Sequence, residues 1–286
     1  MRVAPDERAM HDYYQRGKEA GRLDEPAGQL EFQRTTELLL RRLPPPPAVI
    51  ADIGGGPGRY ATWLAGRGYL VRHRDPVPLH VEQLAATADP GIETAVGDAR
   101  SVDLADRSVD AVLLLGPLYH LPRRADRVRA LAEARRVVRP GGPVFAAAIS
   151  RWALRMDGVL RAQLYRELPQ ILAEADATER TGRMDPLHPA AFCGYAHRPG
   201  QLRREAAAAG LSVTSLVSVE GPAFLLADLG ERMTDPDSRR VVLDTARALE
   251  RVPELLGIGP HLLLTAERPG RRTVPMRTVP VRRASG

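Results

Sequence analysis

The sequence is short of several things, and each shortage removes a class of protein. There is one cysteine, Cys193, in 286 residues. No intrachain disulfide can form, and no Cys/His cluster has metal-ligand spacing, so no metal is expected. No stretch approaches the roughly 18 consecutive apolar residues of a membrane helix. The opening "MRVAPDERAMHDYYQ" lacks the apolar block of a secretion signal, so the expectation is a cytoplasmic protein with no membrane partner. Lysine is nearly missing as well. Lys18 stands against 40 arginines, a GC-rich coding bias that points to a bacterial genome and says nothing of chemistry.

What is plentiful is arginine, and its placement matters more than its number. The net charge is +6 with a sequence pI near 9.9, a balance that often marks a nucleic-acid partner. Five arginines (271, 272, 277, 282 and 283) fall in the last segment, "GRRTVPMRTVPVRRASG", which has no acid. Setting them aside leaves +1 for residues 1–269. Nucleic acid is therefore not the expected partner of the body. The tail, 270–286, has no period that could bury a face and is expected to be disordered.

Along the chain, residues 9–43 read as helical and end abruptly at "PPPP" (44–47). From residue 48 strands and helices alternate: an apolar run (48–53), a helix, "YLVRHRD", "PLHVEQLAATA", "IETAVGD", "VDAVLLLG", "RADRVRALAEARRVV", "RPGG" and "PVFAAAIS". Several strands are apolar on both faces, which predicts a mostly parallel sheet covered on both sides. "RHR" is more charged than a buried strand should be. Either that strand is short or Arg72 and Arg74 reach past its end. Beyond Ser150 the rhythm changes. Residues 151–198 read as an irregular to helical insertion, and 199–269 as a helix, two strands and a lid insertion at 222–257. The N-terminal segment (1–47) and the two insertions are long enough to cap one end of the core at 48–150. Ligands of open α/β sheets bind beyond the carboxyl ends of the strands.

The glycines after the first strand ask what their backbone approaches. A Gly-rich turn between strand and helix lets a ligand come close to main-chain N–H groups. The dinucleotide fingerprint G-x-G-x-x-G fails, because counting from Gly54 its last glycine is Arg59. A phosphate-binding loop would need Gly-Lys-Ser/Thr, and none follows. What stands here is Asp52-x-Gly54-x-Gly56-x-Gly58.

That pattern resembles motif I of the class I S-adenosylmethionine (SAM)-dependent methyltransferases. The other motifs of the family follow in order. The acid after the second strand is Asp75, next to Pro76, and the acid after the third is Asp98 in "VGDAR", next to Ala99. "SVDAVLLLG", ending at Leu115 and Gly116, and "RVVRPGGPVFAA" look like the fourth strand and the turn before the fifth. The resemblance covers about residues 46–150, more weakly "HRPGQLRREAAAAGLSV", and is nearest to the small-molecule type similar to the ubiquinone/menaquinone-biosynthesis group. It implies a Rossmann-like, doubly wound sheet of seven strands, mostly parallel with the last antiparallel, plus a helical cap. It also implies SAM as cofactor, with Asp52, Gly54, Gly55 and Gly56 at its methionine end, Asp75 on the ribose hydroxyls, Asp98 and Ala99 at the adenine, and Pro76 and Leu115 among the residues that hold it.

Tyr14, Arg22 and Arg34 are candidates to close over SAM, an arginine meeting its carboxylate. For pocket shaping or proton transfer the candidates are Tyr119 and His120 in "GPLYHL", Tyr195 and His197 in "FCGYAHRP", Glu220 in "VEGP" and His261 in "GPHLLL". A loop whose aromatic simply packs explains Tyr119 and His120 equally well, and a structural role explains Tyr195, His197, Glu220 and His261 better than a catalytic one. The expected reaction is methyl transfer to an O, N or C atom of a small-molecule acceptor, giving S-adenosylhomocysteine. Alternatives are cleavage of another C–S bond of SAM (aminocarboxypropyl transfer or cyclisation), an RNA or protein methyltransferase, and a non-catalytic SAM-binding regulator.

Overall fold

The computed structural model describes residues 13–14, 17–186 and 192–270. The arginines of the tail lie outside the described residues. A 3-10 turn, Lys18–Asp24, leads into helix α1 (Pro26–Leu40). Then come β1 (Val49–Ile53), α2 (Arg59–Ala65), β2 (Leu70–Asp75), α3 (Pro78–Ala85), β3 (Ile92–Val96), β4 (Ala111–Leu114), α4 (Arg124–Val137) and β5 (Pro143–Ser150). After β5 the chain makes a π-helical segment (Leu154–Arg161), α5 (Ile171–Thr181) and the short strands β6 (Arg183–Met184) and β7 (Gly194–His197). It finishes with α6 (Pro199–Ala208), β8 (Ser212–Ser218), α7 (Leu229–Thr234), α8 (Pro236–Leu249) and β9 (His261–Glu267).

The main sheet runs β3-β2-β1-β4-β5-β9-β8, all parallel but for β9, which is antiparallel to both β5 and β8. The expected seven strands and the reversed last strand are there, but the sheet counts nine. The two extra strands are the β6–β7 hairpin. β7 pairs with the end of β5 at Ile149 and Ser150, while Ile149 also pairs with His261 of β9. β7 must therefore use the edge that β4, which stops at Leu114, leaves free. The spacing 151–198 gave no strand signal because these strands span only two and four residues.

The two-faced burial follows from strand alternation. Ala51, Ile53, Val112, Leu114 and Ala146 pack under α4 and α6 through Ala130, Leu131, Leu202 and Ala206. Ile50, Leu113, Phe145 and Leu263 face the other way, under Leu38 and Leu39 of α1 and Ala61 and Leu64 of α2. A smaller core joins Leu30 of α1 to Phe224, Met233 and Val242, tying the N-terminal segment to the 222–257 insertion. The charged "RHR" is fully inside β2. Arg74 is 4% exposed, and its guanidinium bonds Asp103 at 2.6 Å and Glu93 of β3 at 2.8 Å. β3 is the sheet edge, so a buried stem with an ion-paired head is tolerated. Among the described residues no helix is long and apolar enough to cross a membrane.

Candidate active site

The strand ends place the acids. Asp52 closes β1 and is wholly buried; neither carboxylate oxygen has a protein partner. Burial, reinforced by the charge of Asp75, pushes its carboxyl up to about 7. The glycines above it make that burial possible. A Cβ on Gly55 would lie 2.5 Å from Asp52 Oδ2 and 2.7 Å from His73 Cδ2. Gly54 has φ +67°, and its Cβ would meet Pro117 Cγ at 2.5 Å. A Cβ on Gly116 would meet the Gly54 carbonyl at 2.6 Å. The loops after β1 and β4 thus touch backbone to backbone, which side chains would forbid.

Asp75, at the end of β2, is held by three donors. Oδ2 accepts from Gly56 N–H at 2.8 Å, and Oδ1 accepts from Val77 N–H at 2.9 Å and lies 3.0 Å from His80 Nδ1. Asp98 accepts from Arg100 N–H at 2.7 Å and from its Nε at 3.0 Å. Burial works against its ionisation, but these bonds win and hold it below the usual carboxylate range.

Asp75, Asp98 and the glycine loop border one cleft of about 240 Å³, lined on the strand side by Gly54–Gly56, Asp75, Pro76, Asp98, Ala99 and Leu115, with Asp52 beneath the loop and out of the lining. Its other wall is Tyr14, Glu19, Arg22, Tyr119 and His120. Tyr14 Oη lies 2.8 Å from His120 Nε2, and burial pushes His120 down to about 4, so its imidazole is neutral. Burial raises Tyr119, which stays a phenol. Arg22 bonds Glu31 through both terminal nitrogens, at 2.6 and 3.2 Å, and Glu19 at 2.7 Å.

Behind Arg22 lies a second charged group. Because β9 runs backwards, its first residue, His261, sits beside the end of β8, where Glu220 stands. His261 Nδ1 donates to Glu220 Oε1 at 2.6 Å and lies 3.8 Å from Glu31 Oε2. Burial opposes the imidazolium, but Glu31 and Glu220 outweigh it and raise His261 to about 9. The three donor atoms lie within 4.8 Å of one another, with the imidazolium as the cation between the carboxylates.

Six candidate residues do not line the cleft: Asp52, sealed beneath the glycine loop, and Arg34, Tyr195, His197, Glu220 and His261. Arg34 is fully buried, bonded to Glu37 at 2.6 Å, Glu250 at 2.5 Å and the Val219 carbonyl. It ties α1 to the end of α8 and is a structural cation. Tyr195 and His197 lie in β7, under α6. The Arg127 guanidinium stacks 3.7 Å from the Tyr195 ring, and His197 Nε2 sits 3.1 Å from Glu205, which also binds Arg127. An apolar strand ending in histidine reads the same whether the ring faces a ligand or the core. Glu220 and His261 meet each other rather than lining the cleft. Sequence reasoning missed His80, Glu19 and Glu31. His80 carries a usable signal, since it lies five residues after Asp75, in the first turn of a proline-started helix.

A fold of this topology with a Gly-rich loop and acids at successive strand ends defines a nucleoside-cofactor site. A methyltransferase domain model matches residues 51–146. An uncharacterized methyltransferase of Mycobacterium tuberculosis is 39% identical over 93 residues, 32% of this chain and 36% of that one. The chain therefore spans about a third of the length of the curated relatives that it matches. A SAM-dependent methyltransferase from Thermotoga maritima superposes with a TM-score of 0.59 at 16% identity, covering 91% of this chain and 99% of that one. One from Methanosarcina mazei gives 0.55 at 19% identity, covering 81% and 97%. These likenesses establish the fold. The domain match falls on the same residues, 51–146, whose motifs resemble those of class I SAM-dependent methyltransferases.

The residues fit SAM. The glycine loop leaves backbone exposed at Gly56, where a Cβ would meet only Glu19 Cγ, at 3.9 Å. Two acids line the strand side, Asp52 has orphaned oxygens beneath it, and Arg22 is a cation on the facing wall.

Proposed function

We propose that the protein transfers a methyl group from SAM to an O, N or C atom of a small molecule seated against Tyr14, Tyr119 and His120. One observation carries this reading: the strand-end acids Asp75 and Asp98, the glycine loop, Tyr14 of the N-terminal segment and Tyr119 and His120 of the loop after β4 line a single cleft. Bound there, SAM supplies an electrophilic methyl group and leaves as S-adenosylhomocysteine. Gly54–Gly56, seated over the buried Asp52, would hold its methionine end, facing the Arg22 N–H groups that Glu19 and Glu31 leave over. Pro76 and the Asp75 end of β2 would lie beside the ribose, and Asp98, Ala99 and Leu115 beside the adenine.

The rest of the work is alignment and exclusion of water. Tyr14 and Leu23 cover the cleft from the N-terminal side. His120, neutral and bonded to Tyr14, accepts a hydrogen bond from an acceptor O–H or N–H and turns its lone pair toward the methyl group. A ring that gains a proton only near pH 4 orients the acceptor, and the proton that methylation of an O–H or N–H displaces passes to bulk water. The test is incubation with methyl-labelled SAM and a bacterial extract, followed by size fractionation. Label in the small-molecule fraction supports the proposal. Label confined to RNA or protein replaces the acceptor class, and no label above the enzyme-free control defeats the reading.

A further inference from the structure

The family resemblance puts a ligand's ribose hydroxyls on Asp75, but in this chain that carboxylate is already engaged. Gly56 N–H holds Oδ2, while Val77 N–H and His80 Nδ1 hold Oδ1. The backbone donors cannot change role, and Asp75 is only 4% exposed. The third partner is different. A neutral imidazole that gives its Nδ1 proton to a carboxylate presents Nε2 as a bare lone pair. His80 is 2% exposed, lines the cleft, and its Nε2 has no protein partner. Tyr14 stands edge-on to the ring, centroids 5.2 Å apart, and helps fix its plane. A buried acceptor with no donor is costly unless a ligand supplies one.

His120 Nδ1 is also without a protein partner, but the two assignments are not equal. The partner of His120 is a tyrosine hydroxyl, which donates or accepts, so the protein does not fix that tautomer. Asp75 fixes the tautomer of His80.

We infer that His80 is a ligand-positioning residue: its Nε2 accepts a hydrogen bond from a hydroxyl of the bound nucleoside, and Asp75 acts through it by setting the tautomer. The sequence builds this locally. "DPVPLH" brings the chain off β2 through an Asp75 cap on Val77 N–H and places His80 on the first turn of α3, folded back onto the same carboxylate. The inference rests on the reading of the cleft as a SAM site.

The test is calorimetric binding of S-adenosylhomocysteine and its 2′-deoxy and 3′-deoxy analogues to wild type, His80→Phe and His80→Gln, with thermal melts to confirm folding. Wild type should bind one deoxy analogue roughly tenfold more weakly than the parent. His80→Phe should bind parent and that analogue alike, and His80→Gln, which keeps an acceptor oxygen, should recover part of the discrimination. Should His80→Phe fail to fold or bind, His80→Gln against wild type decides the matter, since Asp75 alone would leave its discrimination complete. Full discrimination in the variants assigns the hydroxyl to Asp75 itself and overturns the inference. So does a wild type that binds all three ligands equally. A wild type that binds none of them defeats the SAM reading and this inference with it, a result distinct from the other two.

Discussion

Tyr14 Oη and His120 Nε2 lie 2.8 Å apart, joining the N-terminal segment to the loop after β4 across the cleft. That one bond couples cofactor cover to acceptor wall. Tyr14→Phe removes it and leaves His120 buried with neither nitrogen partnered, a loss of about 1–3 kcal/mol. Denaturant unfolding should show that loss. Methyl transfer should fall more steeply than S-adenosylhomocysteine affinity, because the acceptor side loses its orientation. Equal falls in both would place Tyr14 on the cofactor alone.

Asp52 gives a pH signature. Its folded pKa, about 7, is above the ordinary carboxylate value of 3.8. As pH rises from about 4 to about 7 the unfolded chain gives up this proton while the folded one keeps it, so folding is increasingly penalised; above 7 the penalty is constant. Asp52→Asn should therefore be more stable than wild type at pH 8, by a few kcal/mol at most, and equal to it near pH 4. The same variant should bind S-adenosylhomocysteine more weakly. Superimposable melting curves at both pH values would mean that the burial of Asp52 carries no charge penalty.

His261 runs the other way. Its folded pKa is raised to about 9 from 6.5, so the stabilisation it draws from Glu220 and Glu31 is complete below about 6.5 and disappears as pH climbs through 9. Stability measured from pH 7 to pH 10 should fall, and His261→Gln should flatten the profile. An unchanged slope in that variant would remove His261 from the group that anchors Arg22.

The Arg127–Glu205 pair is buried on both sides, each side chain 1% exposed. Glu205→Ala leaves the guanidinium uncompensated and should cost about 3–5 kcal/mol. His197→Ala should also destabilise, while the folded fraction of either variant binds S-adenosylhomocysteine as wild type does. Weakened binding in well-folded His197→Ala would bring β7 back into the site.

The nucleoside side of the cleft was legible in the sequence because it is made of backbone and strand-end acids at fixed spacing. Asp52 and Asp75 lie in the last two residues of their strands, and Gly54 and Asp98 within two residues after theirs. The acceptor side is built from distant pieces. Nothing in "DPVPLH" alone shows that His80 returns to Asp75, and nothing in "QLEFQ" shows that Glu31 meets Arg22 and faces His261. Arg34 and Arg22 look alike on a helical wheel. The fold buries one against Glu250 and turns the other to the cleft. The β6–β7 hairpin escaped because two short strands carry too few residues for a period, and their pairing depends on the free edge of β5.

The central claim is that the methyl–sulfur bond of SAM is the one broken. Mass spectrometry after incubating the protein with SAM and a bacterial metabolite extract reads it directly. S-adenosylhomocysteine rising above the extract-free control, with one small molecule gaining a methyl mass, is the expected result. Methylthioadenosine rising above its enzyme-free background, with no S-adenosylhomocysteine, would mean that another bond is cut and would contradict the account.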